Sequence, residues 1–116
     1  MGMEKMTDMR FWLYGRVAHD DGFSLKLQME KLQAFAQKWS LHVVGQSGDT
    51  QSGMTLERVG LQSVKEAVIR KEVDAVLIRD YSRISRDIIQ ADQFVRWLNE
   101  NGVQVFMLDR LRGMEI

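Results

Sequence analysis

The chain has 116 residues, which suits one compact domain with roughly two thirds of the unfolded surface buried and leaves no room for a second. Apolar residues make up 45% and charged residues 28%, and no apolar run approaches the roughly 20 residues of a membrane helix, so a soluble protein with no membrane partner is expected. Lys and Arg (16) balance Asp and Glu (16), which excludes a nucleic-acid partner drawn by bulk charge, and the absence of cysteine excludes disulfides and thiolate metal sites and suits a reducing cytoplasm.

The start, Met1 to Met9, has acidic residues and no long apolar core, and residues 1–9 are expected to be disordered. A first strand is expected from about Arg10 to Val17, with Arg16 near its end. His19-Asp20-Asp21, closed by Gly22, reads as a solvated loop, since consecutive side chains rarely converge on one ion. A helix is expected over Ser24 to Trp39, capped by Ser24, with an apolar stripe from Leu25 and Leu27 through Met29, Leu32, Phe35 and Ala36. A second strand covers about Leu41 to Gln46, and a second helix about Leu56 to Lys71 turns Leu61, Val64, Val68 and Ile69 inward. The run Ala75-Val76-Leu77-Ile78 marks a third strand, over about Asp74 to Arg79. A third helix, about Asp87 to Asn99, buries Ile88, Ala91, Val95 and Leu98 and stops at Asn101-Gly102 in a left-handed cap. Val103 to Leu108 is the last strand. Trp12, Trp39 and Trp97 are expected to pack rather than to stack on bases.

Strands alternating with helices imply an α/β fold: a central, mostly parallel sheet of at least four strands, with helices on both faces. Ligand sites in such sheets lie beyond the carboxyl ends of strands. That places Arg16 to His19, the Ser47 to Arg58 loop and Tyr81 to Asp87 along one rim. Arg83 and Arg86 lie three apart where the third strand hands over to a helix. Guanidinium forks match the oxygens of a phosphate, so arginines gathered there read as a phosphodiester clamp. The competing reading makes them surface charges paired with Asp80 and Asp87. No metal and no cofactor are expected.

Tyr14-Gly15-Arg16-Val17, Ser24-Leu25-Lys26-Leu27-Gln28, Asp49 with Ser52-Gly53, Glu57-Arg58-Val59-Gly60-Leu61 and Ser82-Arg83-Ile84-Ser85-Arg86-Asp87 occur in this order and spacing. Together they resemble the N-terminal catalytic domain of the serine recombinases, the resolvases and invertases, over nearly the whole chain from Leu13 to Asp109. The resemblance implies a resolvase-like three-layer domain for site-specific DNA recombination. In that family a serine attacks a DNA phosphodiester within an assembly of subunits, and arginines surround the phosphate. It implies phosphate contacts for Arg16, Arg58, Arg83 and Arg86, supporting polar roles for Gln28, Asp49, Ser52 and Ser82, and a dimer or tetramer in the full-length context. The family continues into a long helix and a separate DNA-binding domain that these residues do not include, so DNA binding by this domain alone is expected to be weak.

The resemblance fails at its centre, because the position of the nucleophilic serine is Ala18. A methyl group cannot attack phosphorus, so strand cleavage is expected to be impaired unless another hydroxyl, from Ser24, Ser52, Ser82 or Ser85, substitutes. Two accounts of Ala18 stand: an engineered trap, or a natural variant that binds DNA or joins active relatives without cutting. Ser82 stands where some relatives carry an aspartate. The alternative from another class is a non-catalytic module in which the arginines brace loops.

Overall fold

The computed structural model describes residues 6–19, 23–50 and 58–111. Its strands are β1 (Arg10–Arg16), β2 (His42–Asp49), β3 (Ala75–Ile78) and β4 (Gln104–Met107). Its helices are α1 (Ser24–Lys38), α2 (Val59–Ile69), α3 (Ile88–Glu100) and the short α4 (Leu108–Leu111), with a 3₁₀ turn at Tyr81–Arg83 between β3 and α3. The strands pair in parallel in the order β2-β1-β3-β4. From β1 the chain moves outward to β2, and from β3 it moves outward the other way to β4. The switch between β1 and β3 opens a crevice beyond their carboxyl ends.

Alternation along the central strands builds two cores. Phe11 and Leu13 of β1 and Ala75 and Leu77 of β3 face Leu32, Phe35 and Ala36 of α1 and Leu108 and Leu111 of α4. Tyr14 of β1 and Val76 and Ile78 of β3 face Leu61, Val64 and Val68 of α2 and Phe94 and Leu98 of α3. The sheet is therefore covered on both faces, as the pattern of elements predicts. Trp12, Trp39 and Trp97 pack partly buried against these cores, and Gly102 takes the left-handed conformation (φ 77°) expected after Asn101. Among the described residues no helix is long and apolar enough to cross a membrane.

Several expectations are corrected. Strand β2 runs on to Asp49, past the expected end at Gln46, because Ser47, Gly48 and Asp49 pair with Tyr14, Gly15 and Arg16. That pairing comes from β1 and not from any apolar run in the segment. Leu108 opens α4 instead of closing β4. Helix α2 begins at Val59, since Arg58 is in extended backbone. Phe23 occupies the cap position of α1, so Ser24 is the first helical residue and not the cap. Leu27, Ile69 and Ile88 are exposed: Leu27 turns to the crevice, while Ile69 and Ile88 sit at helix ends, where the apolar stripe overruns the sheet. The frayed end expected over residues 1–9 does not include Met6, which is buried under the α1 and α4 core with Met9 packed against the same cluster. An unbranched methionine fills such a gap readily. Residues 1–5 lie outside the described residues.

Candidate functional site

Arg16 ends β1 and is only 3% exposed. Its Nε donates to the Arg83 carbonyl at 3.2 Å and its Nη2 to the Ser82 carbonyl at 2.6 Å. Arg83 returns the contact, with Nη1 donating to the Arg16 carbonyl at 2.9 Å. Arg58, 2% exposed just before α2, donates through Nη2 to the Ile84 carbonyl and through Nη1 to the Arg83 carbonyl at 3.5 Å. Its guanidinium carbon lies 6.0 Å from the centre of the Tyr14 ring. Three guanidiniums thus meet around the backbone of residues 82–84. Carbonyl acceptors satisfy donors without cancelling charge, so the cationic character of the cluster survives these bonds. Burial pushes the Arg16 pKa down, and the positive charges of Arg58 and Arg83 push it further, with a smaller contribution from exposed Arg86. The Nε atoms of Arg58 and Arg83 are buried without a hydrogen-bond acceptor among the described residues, a costly condition that an anion would relieve.

The supporting residues hold this cluster from two sides. On the α1 side, the Gln28 carboxamide clasps the Arg16 backbone, accepting from its N–H at 2.9 Å and donating to its carbonyl at 3.2 Å. On the α2 side, Asp49 is the register partner of Arg16 across β1 and β2, yet its carboxylate turns to the helix start. It accepts from Gly60 N at 2.7 Å, Leu61 N at 3.0 Å and the Tyr14 hydroxyl at 2.6 Å, which satisfies orphan donors of α2 and suits its dipole. A Cβ at Gly60 would lie 2.8 Å from both Asp49 Oδ2 and the Gly48 carbonyl, so only glycine permits this approach. Burial raises the Tyr14 pKa, and the bond to Asp49 raises it further. Tyr14 was not among the expected site residues. Its signal was present in the sequence, because residues two apart in a strand share a face and Tyr14 precedes Arg16 by two.

Ser82 is exposed and donates through its N–H (2.9 Å) and its hydroxyl to Asp80 Oδ1. The other oxygen of Asp80 lies 3.7 Å from Arg83 Nε. The expected surface pair between Asp80 and Arg83 therefore exists, loosely, and Asp80 emerges as the residue that ties the turn together. Asp87 instead caps α3 by accepting from Ile89 N at 2.9 Å. Ser85 is buried, with its hydroxyl donating to Gln90 Oε1 at 3.0 Å and accepting from Asp87 N at 3.0 Å. Ser52 and Gly53 lie outside the described residues.

Ala18 is half-buried and opens, with Gln28, Ser24 and Arg83, onto a crevice of about 460 Å³ at the β1–β3 switch. The described residues contain no group of three potential metal ligands.

A family model described as the resolvase N-terminal domain matches residues 11–115. The fold is similar to that of the C-terminal catalytic domain of ISC1926 TnpA, an IS607-like serine recombinase, at a TM-score of 0.79 and 27% identity, covering 85% of this chain and 67% of that one. It is similar to the N-terminal catalytic domain of TP901-1 integrase at a TM-score of 0.79 and 25% identity, covering 87% and 78%. A resolvase family site-specific recombinase from Streptococcus pneumoniae shares the fold at a TM-score of 0.74 and 23% identity, covering 88% and 73%. No curated protein sequence matches the chain. With a family model spanning nearly all of its residues and this fold, the chain belongs to the resolvase N-terminal domain family, the catalytic domains of the serine recombinases.

Proposed function

We propose that this domain seats a DNA phosphodiester on Arg16, Arg58, Arg83 and Arg86 in site-specific recombination and does not cut it, because Ala18 stands where the family's resemblance puts the nucleophile. The observation that carries this reading is the meeting of Ala18 and Arg83 on one crevice, beside a cluster of cations whose buried donors are not all satisfied. Phosphoryl transfer needs an aligned nucleophile and cations positioned where charge builds on the non-bridging oxygens. The arginines supply the second requirement. Ala18 cannot supply the first, having neither a lone pair nor a proton to lose. Ser82 and Ser85 are engaged with Asp80 and with Gln90 and Asp87, which argues against either as a substitute. On this reading the domain acts as a DNA-phosphate-binding member of an oligomer, alone or with active relatives, and its own affinity for DNA is weak.

The test is a denaturing-gel assay for covalent protein–DNA adducts on a recombination site. The unmodified chain should form none, and Ala18→Ser should form them. Adducts from the unmodified chain that vanish in Ser24→Ala would overturn the uncut reading and assign the nucleophile to Ser24, which opens onto the same crevice.

A second reading has a specific observation in its favour. Arg16 and Arg58 are buried and direct donors to carbonyls of residues 82–84, so they also brace the turn. If Arg83→Ala and Arg86→Ala leave DNA binding unchanged while self-association persists, the domain is an assembly module and the phosphate role is lost.

A further inference from the structure

The crevice beside Ala18 is larger and more mixed in chemistry than a single phosphate requires. Its volume of about 460 Å³ falls in the range of small-molecule pockets, roughly 300–1,000 Å³. One wall is apolar, built from Val17, Leu27 and Leu108. Leu27 belongs to the apolar stripe of α1 but is left exposed, because it faces this space. The rest of the lining is mostly polar, with His19, Ser24 and Gln28 beside charged residues among which cations outnumber carboxylates. Lys31 from α1 and Arg79 from the end of β3 join Arg83 there, and neither is among the arginines that the family resemblance assigns. Among the described lining residues the single carboxylate is Asp109, and its Oδ2 lies 3.9 Å from Arg79 Nε. Arg79 stands equally far, 3.9 Å, from Asp80 Oδ2. Both are loose pairs between half-exposed side chains, of the kind that contributes little and yields to a better anion.

An apolar wall and an excess of cations in one cavity match a group that is itself half apolar and half anionic. We propose that the crevice is a nucleotide subsite: the sugar and base next to the phosphate held by Arg83 lie against Val17, Leu27 and Leu108, and the next phosphate along the strand meets Lys31 and Arg79. This rests on the reading that Arg83 holds a DNA phosphate. A bare anion would leave the apolar wall wet, and an apolar peptide would leave the cations without partners. The location agrees with the general rule for open α/β sheets, in which ligands enter at the topological switch point.

Nuclear magnetic resonance titration of the 116-residue chain separates the sources of the signal, with inorganic phosphate, a 5′-phosphorylated deoxydinucleotide and its abasic counterpart as probes. The dinucleotide should shift the amides of Leu27, Lys31 and Leu108, whereas inorganic phosphate should leave Leu27 and Leu108 unmoved. Lys31→Ala and Arg79→Ala, both at exposed side chains and expected to keep the wild-type fold, should each weaken binding of a single-stranded oligonucleotide by about fivefold. Each should also make the salt dependence shallower, by about 0.7 in slope for every phosphate that the variant no longer neutralises. An abasic probe that binds as well as the intact one would overturn the apolar seat. Unchanged binding by Lys31→Ala and Arg79→Ala, with loss in Arg83→Ala, would overturn the subsite and leave the phosphate reading standing. Unchanged binding in all three would remove both.

Discussion

The two ends of β1 carry arginines held in opposite ways. At the amino end, Arg10 donates through Nε and Nη2 to Asp74 Oδ2 and Oδ1 at 2.9 and 3.1 Å, and its backbone N–H adds a third bond at 2.8 Å. The side chains are 42% and 38% exposed, and the pair raises the Arg10 pKa and lowers that of Asp74. At the carboxyl end, Arg16 is buried, bonds to carbonyls and has its pKa lowered by burial and by neighbouring arginines. A bidentate partner leaves Arg10 little to offer a ligand. Cations gathered on carbonyls keep their charge and repel one another, which costs stability and, on the proposed reading, readies the rim for an anion. Perturbed groups concentrate at functional sites for this reason.

That contrast can be broken experimentally. The largest effect should follow Asp49→Ala, which strips the acceptor from three donors, Tyr14 Oη, Gly60 N and Leu61 N. A loss on the order of 3–5 kcal/mol in urea unfolding is expected; a loss under about 1 kcal/mol would show that this anchor does not hold the Arg16 end. Tyr14→Phe removes one of the three bonds and should cost about 2 kcal/mol. The double variant should then lose little beyond Asp49→Ala alone, since both remove the same bond, and simple additivity would contradict that shared bond.

Arg86→Ala sharpens the comparison from the ligand side. Arg86 is exposed, so its loss should leave the unfolding midpoint in place while DNA binding weakens about fivefold. A shifted midpoint with unchanged binding would class Arg86 with Arg10. The smallest effect belongs to Asp74→Asn. Arg10 depresses the folded pKa of Asp74, so the stability from this pair is present above the unfolded value of about 3.9 and is lost as pH falls through the folded one. Wild type and variant should therefore differ modestly at neutral pH and converge in strong acid, with DNA binding unaffected throughout. An equal gap at both pH extremes would show that the charge of Asp74 is not what stabilises that end.

Much of this architecture was legible without coordinates. The runs Phe11 to Tyr14 and Ala75 to Ile78 read as strands because they are buried on both faces and carry apolar side chains at almost every position. The stripes of α2 and α3 gave their inner faces through Leu61, Val64, Val68, Ala91 and Leu98, although Phe94 was missed. Strand β2 was misjudged at its end because an edge strand with one covered face is polar there, and only its partner defines its length. At the site, the gathering of Arg16, Arg58 and Arg83 follows from their places at the rim. The bonds of Arg16 and Arg58 to the carbonyls of residues 82–84, and of Arg83 to the Arg16 carbonyl, do not, since backbone acceptors leave no mark in side-chain identity. Asp80 was visible only as a surface partner, and Lys31 and Arg79 carried no motif.

Local chemistry by itself determined that this chain forms alternating strands and helices, that arginines sit where strands end, and that Ala18 offers no nucleophile. These are properties of residue type and spacing, which act through neighbours along the chain. It took the packed fold to show that Asp49 turns from Arg16 to the start of α2, that Arg16 and Arg58 share the carbonyls of residues 82–84 while Arg83 bonds back to the Arg16 carbonyl, and that Lys31 and Arg79 share a crevice with Ala18. Those outcomes depend on which surfaces the parallel sheet brings together from distant segments, and no local preference encodes that choice.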